Sequence, residues 1–484
     1  RSSNGGRERG RELEKGVWMM WLCARRSMSV YRSVCISQGA DAVLREFPQH
    51  SWPQVQDMLH VASSSATQFA ALSVQERAGM VLSLGRVLEN RVEDLAALAA
   101  TEMGKPITQA RAEVLKCAGL CAHYAEHGED MLHPNVVPTD AGKSYFLLQP
   151  LGPIFSIFPW NFPFWQSIRA VVPGLILGNV FLTKHAPNVP QCALAILDAF
   201  KEAGFPEGVY QNAFVDNDMA AQIIQHDAIQ AVTFTGSTAG GAKVASLAGA
   251  AIKKTVLELG GSDPFVVLED ADVDLAVQQA VTARLQNCGQ SCIASKRFIV
   301  HEKVFETFRD ALAIQFQAKV VGDPLDDKTE IGPLAREDLL VEMERQLQDS
   351  IAAGASIVCG GKRVHDTAPF FAPTILEGVR PGMPCFDEEV FGPVLSLIKV
   401  QSEEEALELA NQSEYGLGGC VFTRDTERGE QFALQLRSGM AFVNGMSKSD
   451  ARLPFGGIKK SGYGRECSGL AIAELANIKT VWIK

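Results

Sequence analysis

The chain has 484 residues, 46% of them hydrophobic and 21% charged. That is the composition of globular domains, and the length calls for two or more of them. The formal net charge of −11 argues against a general nucleic-acid or anionic-membrane binder, and no run of about 18 apolar residues marks a membrane span.

In chain order, the first segment is unusual. The chain starts with Arg1 rather than Met, and residues 1–18 mix Arg, Glu and Gly without apolar periodicity. From Met19 to Ala40 no acidic residue occurs, while Arg25, Arg26 and Arg32 lie among serines, a composition similar to a mitochondrial presequence. The same stretch also reads as a poorly ordered extension, or as translated sequence ahead of a start at Met19, Met20 or Met28. Residues 1–40 are set apart as an extension, and ordered structure is expected from about Asp41.

From Ser73 to Met103 apolar residues recur at three- and four-residue spacing, which predicts a helix ended by Gly104-Lys105-Pro106. A second helix is expected from about Thr108 to Glu126. Strand-like runs then alternate with helices: Pro153–Phe158, Val180–Lys184, Val209–Phe214, Ala231–Thr235 and Thr255–Leu259, with a helix over Val189–Ala203. Such alternation predicts a parallel sheet covered by helices on both faces. A second series follows, with strands at Pro264–Leu268, Phe298–Val300, Ser356–Cys359 and Val394–Val400. Its helices are expected over Lys303–Val320, Leu334–Ala353, Glu403–Ser413 and Thr426–Leu436. The chain thus divides into a cofactor-type half ending near Glu258 and a catalytic half. Tyr145–Gln149 and Ile478–Lys484 are strand-like and read as exposed edges that pair with another subunit.

The chemistry centres on Cys292, in Asn287-Cys288-Gly289-Gln290-Ser291-Cys292, with Glu258 upstream in Leu257-Glu258-Leu259-Gly260-Gly261. A thiol within reach of a carboxylate supplies a nucleophile and a base for two-stage covalent catalysis. The eleven cysteines show no Cys-x-x-Cys pair and no zinc-type cluster, which predicts reduced thiols in an intracellular setting and no metal.

Pro159-Trp160-Asn161-Phe162-Pro163 brackets one amide between two prolines. A rigidly presented Asn161 can donate to an oxyanion, although the segment also reads as a turn with a packed Trp160. Thr235-Gly236-Ser237 opens a helix after a strand, where Gly236 and Ser237 would let phosphate approach backbone amides, or would only make a tight turn. Lys184 closes a strand, at the sheet edge where ligands of open α/β sheets bind, or is a solvated lysine. Glu389 and Phe391 are two residues apart, so in extended backbone they share a face. The glycine-dense Pro454–Glu466 segment is an ordered loop with special backbone angles or a flexible tail.

As a set, PWNFP, FTGS, LELGG, NxGQxC, EExFGP and PFGGxKxSGxGRE resemble the NAD(P)-dependent aldehyde dehydrogenase superfamily from about residue 41 to the C-terminus. Lys184–Asn188 and Glu258–Pro264 are most similar to its bacterial-type succinate semialdehyde dehydrogenase branch.

The resemblance implies an α/β fold with a Rossmann-type cofactor domain (residues 41–128 and 148–258), a catalytic domain (259–465) and a small β oligomerisation arm (129–147 and 466–484). It implies NAD or NADP as cofactor, a small-molecule aldehyde as substrate, and a homodimer or homotetramer in the cytoplasm or the mitochondrial matrix, with no nucleic-acid or membrane partner. Cys292 would attack the aldehyde, with Asn161 and the Cys292 backbone N–H holding the oxyanion. Glu258 would activate water against the thioester, and Glu466 would assist proton movement. Lys184 and Glu389 would bind the riboses, Phe391 the nicotinamide ribose, and Trp160, Gly236 and Ser237 the pyrophosphate. Arg169, eight residues after Asn161, stands where the succinate semialdehyde branch carries its carboxylate-binding arginine; it also reads as an arginine paired to a structural acid.

Several departures bear on this. Gln286 stands where animal-type relatives carry a second arginine, with Arg284 two residues earlier. Pro187 replaces the glutamate that NAD-preferring relatives place three residues after the ribose lysine, so a 2′-phosphate is not repelled. Cys288 reads as a small buried residue, or as a disulfide partner of Cys292. The usual N-terminal hairpin is not visible before Val43. The alternatives are a broad-specificity aliphatic aldehyde dehydrogenase with a structural Arg169, and a non-catalytic NAD-binding scaffold.

Overall fold

The computed structural model describes residues 30–39 and 42–484, so most of the presequence-like stretch lies outside the described residues. Order begins earlier than expected from the sequence. Val30–Val34 pairs antiparallel with Val43–Pro48, forming the hairpin that the sequence did not reveal. Its inward positions are Tyr31 and Ser33, and a buried serine carries no apolar signal. The Tyr31 hydroxyl donates to the Val215 carbonyl at 2.9 Å, and the Arg32 N–H donates to the Pro187 carbonyl at 3.3 Å. The hairpin therefore lies against the loop that follows Lys184.

The expected long helix is two, Val74–Asn90 and Val92–Met103, broken at Arg91. The next, Ile107–Met131, runs further than predicted at its C-terminus. Strands Tyr210–Asn212, Val180–His185, Pro153–Phe158, Ala231–Thr235 and Lys254–Glu258 form a parallel sheet in that spatial order, and Gly462–Tyr463 adds an antiparallel sixth. Strand order reverses beside Pro153–Phe158, which opens a crevice beyond the carboxyl ends of the strands. Lys184, Thr235 and Glu258 all stand at that edge.

The second sheet has seven strands, in the order Ser356–Cys359, Thr374–Glu377, Val394–Val400, Ser295–His301, Asp263–Val267, Cys420–Phe422 and Phe442–Val443. Only the first runs antiparallel to its neighbour. Its central strands read as unbroken apolar runs because both faces are covered. Phe265 stacks between Phe298 and Phe422, with ring centroids 4.7 and 4.5 Å away.

Helix Trp165–Leu177 crosses the core of the first half with all 13 residues buried. A charge on such a helix has to be compensated inside the protein, which bears directly on Arg169. No helix among the described residues is long and apolar enough to cross a membrane.

The two expected edge strands pair with each other. Ala476–Ile483 lies antiparallel along Lys143–Pro150, with Asn135–Val136 on the far side. Pairing inside one chain satisfies backbone groups that the sequence left unassigned. The outer strand Ala476–Ile483 keeps Ile478, Trp482 and Ile483 exposed.

Candidate active site

Four loops meet at the carboxyl edge of the six-stranded sheet. After Pro153–Phe158 comes the loop carrying Asn161. After Val180–His185 comes Ala186–Val189, and after Ala231–Thr235 comes Gly236–Ser237. After Lys254–Glu258, Leu259–Ser262 leads into the second sheet. The nucleophile loop enters from that second half, between helix Val273–Leu285 and strand Ser295–His301.

The nucleophile loop and the Asn161 loop interlock. The Asn161 side-chain amide donates to the Gln290 carbonyl at 3.0 Å, and the Asn287 amide donates to the Asn161 carbonyl at 2.7 Å. Gln166 donates to the Asn161 side-chain carbonyl at 2.9 Å. Asn161 is thus held from both ends, two residues along the chain from Cys292 at its contact with Gln290. Loop closure requires Asn287 and Cys288 in the left-handed region, at φ 54° and 57°, and Gly289 at φ 74°.

Cys292 is partly exposed, whereas the other nine described cysteines are buried. Burial of its sulfur pushes the thiol up to about 12, with Lys296 and Arg169 pulling the other way. Lys296 donates to the Ser291 carbonyl at 2.9 Å and the Cys292 carbonyl at 2.7 Å, which fixes the nucleophile's backbone. A thiolate at neutral pH therefore depends on a base or on charge brought to the site.

Glu258 is buried with neither carboxylate oxygen hydrogen-bonded. Burial raises its pKa well above the usual carboxylate range, and Glu466 nearby adds to the shift against Arg169 and Arg465. A carboxyl whose pKa is raised in this way is a candidate for proton transfer.

The structure brings Arg169 to the catalytic cluster but not as a free guanidinium. It pairs with Glu466, both side chains being buried, and its guanidinium lies over the Phe455 ring at 4.3 Å. Its charge also acts on Glu258 and Cys292. Lys116 lies over the Trp165 ring at 4.3 Å and donates to the Ser449 hydroxyl at 2.6 Å, so a second cation flanks the same region.

On the cofactor side, Lys184 is the penultimate residue of its strand, with no hydrogen bond or ion pair to another described residue, and burial lowers its pKa to about 8. The Thr235 hydroxyl and the Asn188 side-chain amide are buried without partners among the described residues. Ser237 caps helix Thr238–Ala250 by accepting from the Gly240 N–H at 3.2 Å. A side chain at Gly236 would meet the Phe234 ring 2.7 Å away, so glycine lets the turn lie flat on that ring. An open helix N-terminus, a buried unpaired ammonium and unbonded hydroxyl and amide groups suit the riboses and phosphates of a dinucleotide.

Glu389 and Phe391 diverge. Glu389 accepts from the Gly261 N–H at 2.9 Å and lies 3.5 Å from Lys296, while Phe391 packs edge-on against Trp160 with centroids 5.8 Å apart. Cys288 is a buried small residue whose sulfur accepts from the Gly332 N–H at 3.2 Å; it forms no disulfide with Cys292.

Arg284 is fully buried and donates to the Ser295, Val390 and Gly392 carbonyls, which ties the helix before the nucleophile loop to the Glu389–Phe391 segment. Sequence reasoning missed Lys296, Gln109, Lys105 and Glu113 altogether. For Glu113 a signal existed: it falls on the apolar stripe Ala110, Val114, Cys117, Cys121 of its helix.

A family model for the aldehyde dehydrogenase family matches residues 27–481. The chain is 47% identical over 448 residues to "Probable succinate-semialdehyde dehydrogenase (NADP+)" of Synechocystis sp., covering 93% of this chain and 99% of the relative. It is 44% identical over 450 residues to an Escherichia coli succinate semialdehyde dehydrogenase (NAD(P)+), covering 93% and 97%. The crystal structure of succinic semialdehyde dehydrogenase from Streptococcus pyogenes in complex with NADP+ superposes with a TM-score of 0.91 at 36% identity, over 94% of this chain and 99% of that one.

Proposed function

The chain belongs to the aldehyde dehydrogenase family, and on that premise we propose that it oxidises succinate semialdehyde, or a closely related carboxylate-bearing aldehyde, to the acid with NAD(P)+. The observation that carries this reading is the convergence of Cys292, Asn161, Glu258 and Arg169 on one crevice beside an open dinucleotide-type cradle.

Cys292 attacks the aldehyde carbon as its thiol proton passes to solvent water, giving a thiohemiacetal alkoxide. The Asn161 amide and the Cys292 N–H receive the oxyanion. When bound, the nicotinamide supplies the hydride acceptor. Loss of hydride from the thiohemiacetal carbon leaves a thioester on Cys292. Ionised Glu258 then takes a proton from water, whose oxygen attacks the thioester and releases the acid; the departing Cys292 sulfur takes that proton back from Glu258 and leaves as the thiol. Glu466, held by Arg169, keeps a second carboxylate within electrostatic reach of Glu258 and favours its proton-bearing form.

Lys184 and Glu389 are assigned to the riboses, Phe391 to the nicotinamide ribose, and Trp160, Gly236 and Ser237 to the pyrophosphate. Pro187 leaves no carboxylate to repel a 2′-phosphate, which supports use of NADP. Self-association, as a homodimer or homotetramer, is assigned to the exposed strand Ala476–Ile483.

The test is kcat/KM for succinate semialdehyde against uncharged butanal, in wild type and Arg169→Ala, with NAD and NADP each supplied. Removing Arg169 also strips Glu466 of its counter-ion, so absolute rates fall for both aldehydes and the ratio is the informative quantity. The semialdehyde-to-butanal ratio is expected to drop by about 10–100-fold, matching ~1.5–3 kcal/mol for hydrogen bonds to a charged group. An unchanged ratio would assign Arg169 a structural part and the protein a broad range of aliphatic aldehydes.

A further inference from the structure

We infer that helix Ile107–Met131 is the positioning element for the reaction at Cys292, with Gln109 setting the nucleophile loop and Glu113, paired with Lys105, setting the loop that presents Asn161. The inference rests on the dehydrogenase reading and adds residues that do not touch the reacting atoms.

Gln109, Glu113 and Lys116 fall at i, i+4 and i+7, on one face of the helix. The Gln109 side-chain carbonyl accepts from the Asn287 N–H at 2.6 Å, and its amide donates to the Glu330 carbonyl at 3.4 Å. Asn287 is the first of the two non-glycine residues of this loop held at positive φ. Backbone in that region persists only when its surroundings over-determine it. Gln109 is the side chain that secures the entry to this strained turn, five residues before the nucleophile.

Glu113 works on the facing loop. One oxygen accepts from the Phe164 N–H at 2.9 Å and the Trp165 N–H at 3.0 Å, capping the helix that carries Arg169. The other pairs with Lys105, and both side chains are buried. The Lys105 ammonium in turn lies 3.8 Å from the centre of the Phe162 ring. Asn161 is thus bracketed by groups fixed from Lys105 and Glu113, immediately downstream of it. Because the two loops also interlock through Asn161, Gln290 and Asn287, one rigid helix governs the distance between the nucleophile and the oxyanion donor. Small misplacements of such groups are costly to rate while leaving substrate binding nearly intact.

The experiment uses the full chain with Gln109→Met, which removes the acceptor at similar length, and Gln109→Glu, which keeps it. Measured for each are kcat, both KM values, thermal midpoint and the rate of Cys292 alkylation by iodoacetamide. Gln109→Met is expected to lower kcat about tenfold or more and to alter the alkylation rate, with the dinucleotide KM within about twofold. Gln109→Glu is expected to restore most of both. Glu113→Gln, which keeps the capping oxygen but not the charge, gives the second arm if Gln109→Met fails to fold; a loss of kcat at unchanged dinucleotide KM is expected there too. Unchanged kcat and alkylation in both arms would overturn the inference, as would a Gln109→Glu variant as impaired as Gln109→Met. A wild type that oxidises no aldehyde would instead overturn the dehydrogenase reading, while the alkylation rates still report whether Gln109 sets the loop.

Discussion

Cys292→Ser will lose aldehyde-dependent dinucleotide reduction by on the order of 10⁴-fold or more in kcat, with fold and dinucleotide binding retained. The size follows from chemistry and access together. A serine hydroxyl is far more basic than a thiol, so withdrawal of its proton at neutral pH yields almost no nucleophile. None of the other nine described cysteines can substitute, because all of them are buried. Turnover is read from reduced-dinucleotide absorbance, and integrity from the thermal midpoint and dinucleotide titration. Residual activity within about tenfold of wild type would remove Cys292 from the chemistry. The same sulfur gives a pH prediction. Burial raises its pKa to about 12, so in the free enzyme its thiolate fraction grows with pH through the whole range from 6 to 9. Iodoacetamide alkylation should climb without a plateau below pH 9, and a plateau near pH 7 would contradict the unaided thiol.

Glu258→Gln will separate the two halves of the reaction. The first turnover forms a thioester and one equivalent of reduced dinucleotide per active site. Hydrolysis then needs a base that glutamine cannot provide. A rapid-mixing experiment should show a stoichiometric burst followed by a steady state about 10²–10⁴-fold slower than wild type. The acyl group should remain on Cys292 and be visible by intact-mass spectrometry. Steady turnover without a burst would assign the base to another group, Glu466 being the nearest candidate. In wild type the deacylation rate should rise with pH as the elevated Glu258 pKa is crossed, because only the ionised form accepts a proton. Glu258→Gln should flatten that limb.

The motifs singled out Cys292, Glu258, Asn161 and Lys184 because each lies in or beside a turn next to a strand, and such turns leave marks in glycine and proline. The pairing of Arg169 with Glu466 was not legible, since the two lie far apart in sequence and meet only when the C-terminal segment folds over the Trp165–Leu177 helix. The N-terminal hairpin escaped because Ser33 stands beside Tyr31 on its inner face and interrupts the apolar alternation. Gly104-Lys105-Pro106 read as a helix terminator and nothing more. Its lysine is wholly buried against Glu113, a contact that no local pattern encodes. The Tyr145–Gln149 and Ile478–Lys484 segments were recognisable as strands, but not as each other's partners, because sequence alone does not say which edge finds which.

The antiparallel strand Gly462–Tyr463 joins the first sheet next to Lys254–Glu258, Glu466 neutralises Arg169, and the Leu475 carbonyl receives the Asn179 side chain. The six-stranded sheet and its buried cation are therefore completed by residues from the last part of the chain to be translated. On the ribosome, the base Glu258 and the cation Arg169 emerge early, yet their neighbours arrive near the end of synthesis. Until that last part is made, the first sheet lacks its sixth strand and Arg169 its counter-ion, so the cluster around Glu258 closes only with the C-terminal residues in place.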